Sequence, residues 1–156
     1  MANVTVPSQR DESGLITKPN QVAFRATGDG GWQTTNNTTP TLPFNVAVVN
    51  VGGHYSTSNK RFTAPVAGLY FFSWHTYNDS GYSNSVAPRI NGTALTGGGG
   101  DGLIAFSANG ITGNITVGAS FIHPLAVGDT VDLACRVNHT TRTYMGHSQF
   151  MGYLIG

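Results

Sequence analysis

From residue 21 onward, apolar residues recur at every second position in short runs separated by turn residues, and no window carries the i, i+3, i+4, i+7 spacing of an amphipathic helix. This pattern predicts an all-β chain, with strands over 21–27, 44–51, 68–76, 85–90, 103–107, 114–123, 130–138 and 148–155. Glycine, asparagine and aspartate supply the turns at 28–31, 52–53, 91–92, 97–100, 109–110 and 128–129. About eight strands at this spacing suit a sandwich or a jelly roll. Residues 1–20 hold two prolines and most of the early charges but no sustained periodicity, so they read as an arm or linker before a domain over 21–156.

Two strands break the usual alternation of apolar with polar. In 69–74, Tyr70, Phe72 and Trp74 lie on one face while Leu69, Phe71 and Ser73 lie on the other. The closing strand repeats this, with Phe150, Gly152 and Leu154 opposite Met151, Tyr153 and Ile155. A sandwich strand buries one face and wets the other, as Ile115-Thr116-Val117 and Val131-Asp132-Leu133 do here, so the double-faced strands need a second cover. Either another copy of the chain or the segment 34–43 lying over that face would supply it.

Composition narrows the function classes. Charged residues make up 10% of the chain against roughly 25% in an average domain, so hydroxyls and amides must solvate the surface. Net charge is +1 with the basic residues scattered, which argues against a nucleic-acid partner. The single cysteine, Cys135, falls in the alternation Val131, Leu133, Cys135, Val137 and reads as a core thiol. No apolar run reaches the length of a membrane span, and the first twenty residues lack the apolar centre of a secretory signal.

Phe44, Asn50, Tyr55, Phe62, Gly68, Tyr70 and Phe72 stand in the spacing F-x5-N-x4-Y-x6-F-x5-G-x-Y-x-F. This resembles the signature of the complement C1q globular-head family, related in fold to tumour necrosis factor. Trp74 stands where that family usually ends the motif with Phe or Tyr. The segments 125–131 (LAVGDTV) and 148–155 (SQFMGYLI) are similar to the family's last hairpin and closing strand. The resemblance implies a homotrimeric jelly roll of about ten strands. It implies that Phe71, Ser73 and Phe150 face the trimer interface while Tyr70, Phe72 and Trp74 fill the subunit core. It also implies that the seven motif residues are architectural. There is no Gly-X-Y repeat, so no collagen stalk drives the trimer. Some family members bind calcium, but Asp79, Asp101, Asp129 and Asp132 are dispersed here and form no D-x-D-x-D loop; Asp129 reads as a turn residue and Asp132 as an outward strand residue.

Little else points to chemistry. The five histidines, His54, His75, His123, His139 and His147, have no spacing that pairs them on one short element. His123 follows Ile115, Val117, Ala119 and Phe121, and if that face met a threefold axis three copies would converge there on an ion or a pH-sensitive contact. No G-x-S-x-G elbow is present, and the glycine run 97–102 lacks the Lys-Ser/Thr and the helix of a phosphate cradle. The expectation is a protein that is not an enzyme and needs no cofactor. Two settings fit it. One is a virion surface protein of a tailed bacteriophage, a capsid decoration or tail-fibre head, docked to capsid or tail proteins through residues 1–20. The other is a secreted recognition protein that binds glycans or surface proteins through the loops 34–41, 77–83, 97–102 and 139–146, with Trp32, Tyr77, Tyr82 and Tyr144 as stacking surfaces.

Overall fold

The computed structural model describes residues 9–10, 16–17, 21–35, 40–79, 84–95, 105–107, 113–135 and 141–156. These contain fourteen strands: β1 (Gln9–Arg10), β2 (Ile16–Thr17), β3 (Ala23–Thr27), β4 (Trp32–Thr35), β5 (Val46–Val51), β6 (Tyr55–Ser56), β7 (Arg61–Thr63), β8 (Gly68–Asn78), β9 (Asn84–Ile90), β10 (Thr93–Ala94), β11 (Ala105–Ser107), β12 (Ile115–Leu125), β13 (Thr130–Cys135) and β14 (Thr141–Leu154). β1 and β2 pair antiparallel within the segment expected to be an arm or linker. The rest make two antiparallel sheets. One runs β12-β8-β14-β3-β5 with β4 also on β14, and the other runs β10-β9-β13-β7-β6 with β11 also on β9. Faced together, they form an all-β jelly-roll sandwich. The expected turns at 97–100 and 109–110 lie outside the described residues.

The alternation sets which residues fill the space between the sheets. Phe24, Phe62, Tyr70, Phe72, Trp74 and Phe150 are all buried there, and so is Cys135. The motif residues hold this packing in place. Asn50 accepts from the Tyr55 N–H at 3.0 Å and donates to the Tyr55 carbonyl at 2.9 Å, closing the glycine turn between β5 and β6. The Tyr55 and Tyr70 hydroxyls donate to the carbonyls of Phe44 and Val66. A Cβ at Gly68 would stand 2.7 Å from Leu154 Cδ1 and 3.1 Å from the Gly156 carbonyl oxygen, so the end of the Leu154 side chain would have to move. Trp74 fits the core in place of the family's Phe or Tyr, and its Nε1 has no hydrogen-bond partner among the described residues. The Asn91-Gly92 pair, both at positive φ, makes a two-residue hairpin in which Ile90 pairs with Thr93.

Burial raises the pKa of Tyr55, with the Asp132 charge adding to it, and burial likewise raises that of Tyr70. Both phenols therefore stay protonated in the fold at pH values where the unfolded chain has ionised. Their contribution to stability is complete below about pH 10 and is lost as pH rises beyond it. Urea midpoints should fall as pH climbs past that point, and Tyr55→Phe should make the fall shallower. An unchanged slope in the variant would contradict the assignment.

Asp132 corrects one expectation. It is on the outward side as expected, but 1% exposed rather than solvated, because two arginines cover it. Arg61 reaches Oδ2 through Nε and Nη2 at 3.0 and 2.8 Å, and Arg89 Nε reaches Oδ1 at 2.6 Å. Strand alternation put Asp132 on the outer side of its sheet, and two side chains from the neighbouring strands β7 and β9 then closed over it. Of the segment 34–43, residues 36–39 lie outside the described residues, and 40–43 do not cover the outward face. Leu42 is buried in the core and its N–H donates to the Leu133 carbonyl in the opposite sheet.

Candidate functional site

Along β8, burial alternates strictly. Tyr70, Phe72, Trp74, Thr76 and Asn78 are buried between the sheets, while Leu69, Phe71, Ser73, His75 and Tyr77 lie on the outward face. The pairing register carries that face across its neighbours. On β12, Ile122 and Pro124 stand opposite Phe71 and Leu69, and on β14, Tyr153 stands opposite Phe71. The result is an apolar patch at one end of the sheet. Leu69 is 40% exposed, Ile122 56%, Tyr153 43% and Ile155 41%, and the Phe71 and Tyr153 rings pack at 5.2 Å. The middle of the face is polar, with Ser73 bonded to Ser120 at 3.2 Å and His75 paired in register with Gln149.

Phe71 and Ser73 thus lie on the outward face, the side that the family resemblance implies for the interface. Phe150 does not, which corrects the expectation: it is wholly buried, with its ring 4.9 Å from that of Phe24 and 6.1 Å from that of Phe72. It alternates with Met151 and Tyr153, so it must point away from the side they occupy. His123 is corrected in the same way. It stands in register with Tyr70, on the side of β12 that carries Phe121 and faces the sandwich. Ile122, 56% exposed, occupies the outward position beside it. The only signal was an apolar residue ending the small and polar series Thr116, Gly118, Ser120.

At the opposite end of the same face the structure brings together three of the four aromatic residues singled out from separate loops. Tyr144 is paired in register with both Tyr77 and Trp32. The Trp32 ring lies 5.3 Å from Tyr144 and 6.4 Å from Tyr77. Tyr82, the fourth, lies outside the described residues, as does the loop 97–102. The segment 139–146 is not simply a loop, because β14 begins at Thr141.

Two further residues join the cluster without any sequence signal. Between Tyr144 and Gln149 the register with β8 shifts, so β14 carries extra residues there. Ser148 stitches this irregularity: its Oγ accepts from the Tyr77 N–H at 3.1 Å and donates to the Tyr144 carbonyl at 2.8 Å. The bulge sets His147 edge-on against Tyr77 at 5.3 Å and Tyr144 at 4.8 Å. Arg142 lies with its guanidinium 4.8 Å over the Trp32 ring, and its Nη1 meets Asp79 Oδ2 at 2.9 Å.

The acids considered for calcium are engaged otherwise. Asp79 holds Arg142 and Asp132 holds two arginines. Asp129 caps its turn by accepting from Asn91 Nδ2 and the Ala126 N–H, bonds that lower its pKa in that order of strength. Asp101 lies outside the described residues.

Residues 23–155 match the family model described as the C1q domain. Among solved structures, the fold is similar to the globular domain of the zebrafish complement 1qA protein, with a TM-score of 0.67 and 18% identity over 87% of this chain and 98% of that one. It is also similar to the Eiger TNF of S. frugiperda, with a TM-score of 0.64 and 12% identity over 88% of this chain and 94% of that one. Murine APRIL aligns with a TM-score of 0.60 and 8% identity over 86% of this chain and 99% of that one.

Proposed function

Because the chain belongs to the C1q domain family, we propose that it works as a non-enzymatic, homotrimeric binding module whose copies meet through the apolar end of the outward sheet face. The observation that carries this reading is the contiguous exposure of Leu69, Ile122, Tyr153 and Ile155 around the Phe71 ring, on a face that the chain's own segment 40–43 leaves open. Water-soluble monomers rarely present so continuous an apolar patch. A cyclic trimer covers it by setting the face of each copy against a different surface of the next. Light scattering should give three times the 16.4 kDa mass of the chain. A monomer at high protein concentration would overturn the proposal.

The two settings for such a module differ in what residues 1–20 do. On a virion surface they dock the trimer, so a chain lacking them should still trimerise but no longer attach to particles. In a secreted recognition protein the truncated trimer should keep all of its binding. Comparing particle-bound and free protein after sedimentation separates the two, and retention on particles without the segment removes the docking role.

A further inference from the structure

We propose that the cluster of Trp32, Tyr77, Tyr144, His147 and Arg142 is a binding site for a neutral saccharide, a deepening that rests on reading the chain as a binding module. The rings are only partly covered, and His147 is exposed. A pyranose presents an apolar face of C–H groups, which suits such rings, and a rim of hydroxyls, which needs directional polar partners.

The hydrogen-bond inventory supplies those partners. Trp32 Nε1, the Tyr144 hydroxyl and the His147 imidazole make no hydrogen bond among the described residues. The core tyrosines Tyr55 and Tyr70 behave differently, since each spends its hydroxyl on a backbone carbonyl. Tyr77 receives the Asn114 amide at 2.8 Å, which fixes its position within the cluster. Arg142 commits Nη1 to Asp79 and leaves the rest of its fork facing the Trp32 ring. The cluster thus offers donors, an acceptor and flat apolar surface within one set of touching rings.

Charge selects the class of sugar. Asp79 neutralises Arg142 within the site, so among the described residues no unpaired arginine or lysine is left there to reward a phosphate, a sulfate or a sugar acid. Place matters as well. Six residues of extended β8 separate Phe71 from Tyr77, roughly 20 Å. The site stands at the other end of the face from the apolar patch, and each trimer carries three copies of it. Multivalent presentation raises avidity for repeated sugars well above that of one weak site.

The test is an intrinsic-fluorescence titration of the full chain with the methyl glycosides of glucose, galactose, mannose and N-acetylglucosamine. Trp74 is buried, so a ligand-dependent change reports on Trp32. At least one glycoside should give a saturable shift in roughly the millimolar range. Tyr144→Phe keeps the ring and removes the uncommitted hydroxyl, and His147→Ala removes an exposed side chain; each should weaken that binding about tenfold with folding unchanged by circular dichroism. No saturable response to any of the four glycosides overturns the site, as does an affinity that neither variant alters. Light scattering on the same samples tests self-association independently: a monomer that still binds a glycoside ends the trimer reading and leaves this site standing.

Discussion

Ile122→Asp or Tyr153→Asp should convert the proposed trimer into a folded monomer. Both side chains are exposed in the single chain, at 56% and 43%, so a carboxylate at either position meets water and costs the subunit little. In the assembly the same carboxylate is taken out of water with no partner, and a burial of that kind costs several kcal/mol per site. Threefold symmetry repeats the cost in every copy. Light scattering should therefore show the mass of one chain, while circular dichroism retains the β signature. Val127→Asp is the control, because Val127 is 68% exposed in the turn between β12 and β13. If Ile122→Asp and Tyr153→Asp both remain trimeric, the apolar end of this face is not where the copies meet.

Phe150→Ala should act in the opposite sense, weakening the subunit and not the contact between subunits. The Phe150 ring sits among those of Phe24, Phe44, Tyr55 and Phe72, at 4.9 to 6.3 Å. Truncating it leaves a cavity at the centre of the aromatic core, for which about 3–5 kcal/mol is the usual cost. For a chain of this size that corresponds to a fall in melting temperature of roughly 10–15 °C. Measured well below the melt, the variant should keep the stoichiometry of the parent protein. A variant that melts like the parent but dissociates on dilution would return Phe150 to the interface.

These two predictions turn on a distinction that alternation cannot make. The strands, the Asn91-Gly92 turn and the family signature were legible because each depends on a few consecutive residues. A strand sends successive side chains to opposite sides, and Asn-Gly tolerates the positive φ of a tight hairpin. The motif residues were legible as architecture for a related reason. Asn50 reaches Tyr55 only five positions away, and Gly68 sits against the closing strand that the same signature leads one to expect. The short strands β4, β6, β7 and β10 escaped notice, since two to four residues carry too little pattern to rise above the loops around them.

The candidate site shows the same divide. Trp32, Tyr77 and Tyr144 were singled out for the chemistry of their rings, from three segments far apart in the chain. Their meeting is a product of register, with β14 paired to β4 on one side and to β8 on the other. His147 entered through a bulge, and Arg142 through an ion pair with Asp79 across 63 positions. Nothing local to either residue announced its place.

The sequence by itself determined an all-β chain, the family to which it belongs, the residues that shape its turns, and two strands apolar on both faces. Only the tertiary structure decided which face of the closing strand is the core. It sent Phe150 and His123 to the sandwich side, Tyr153 and Ile122 to the outward side, and folded two arginines over Asp132. The physical reason is that side-chain alternation is set by backbone geometry one residue at a time, whereas the sign of that alternation is set by pairing between strands that the chain brings together from a distance.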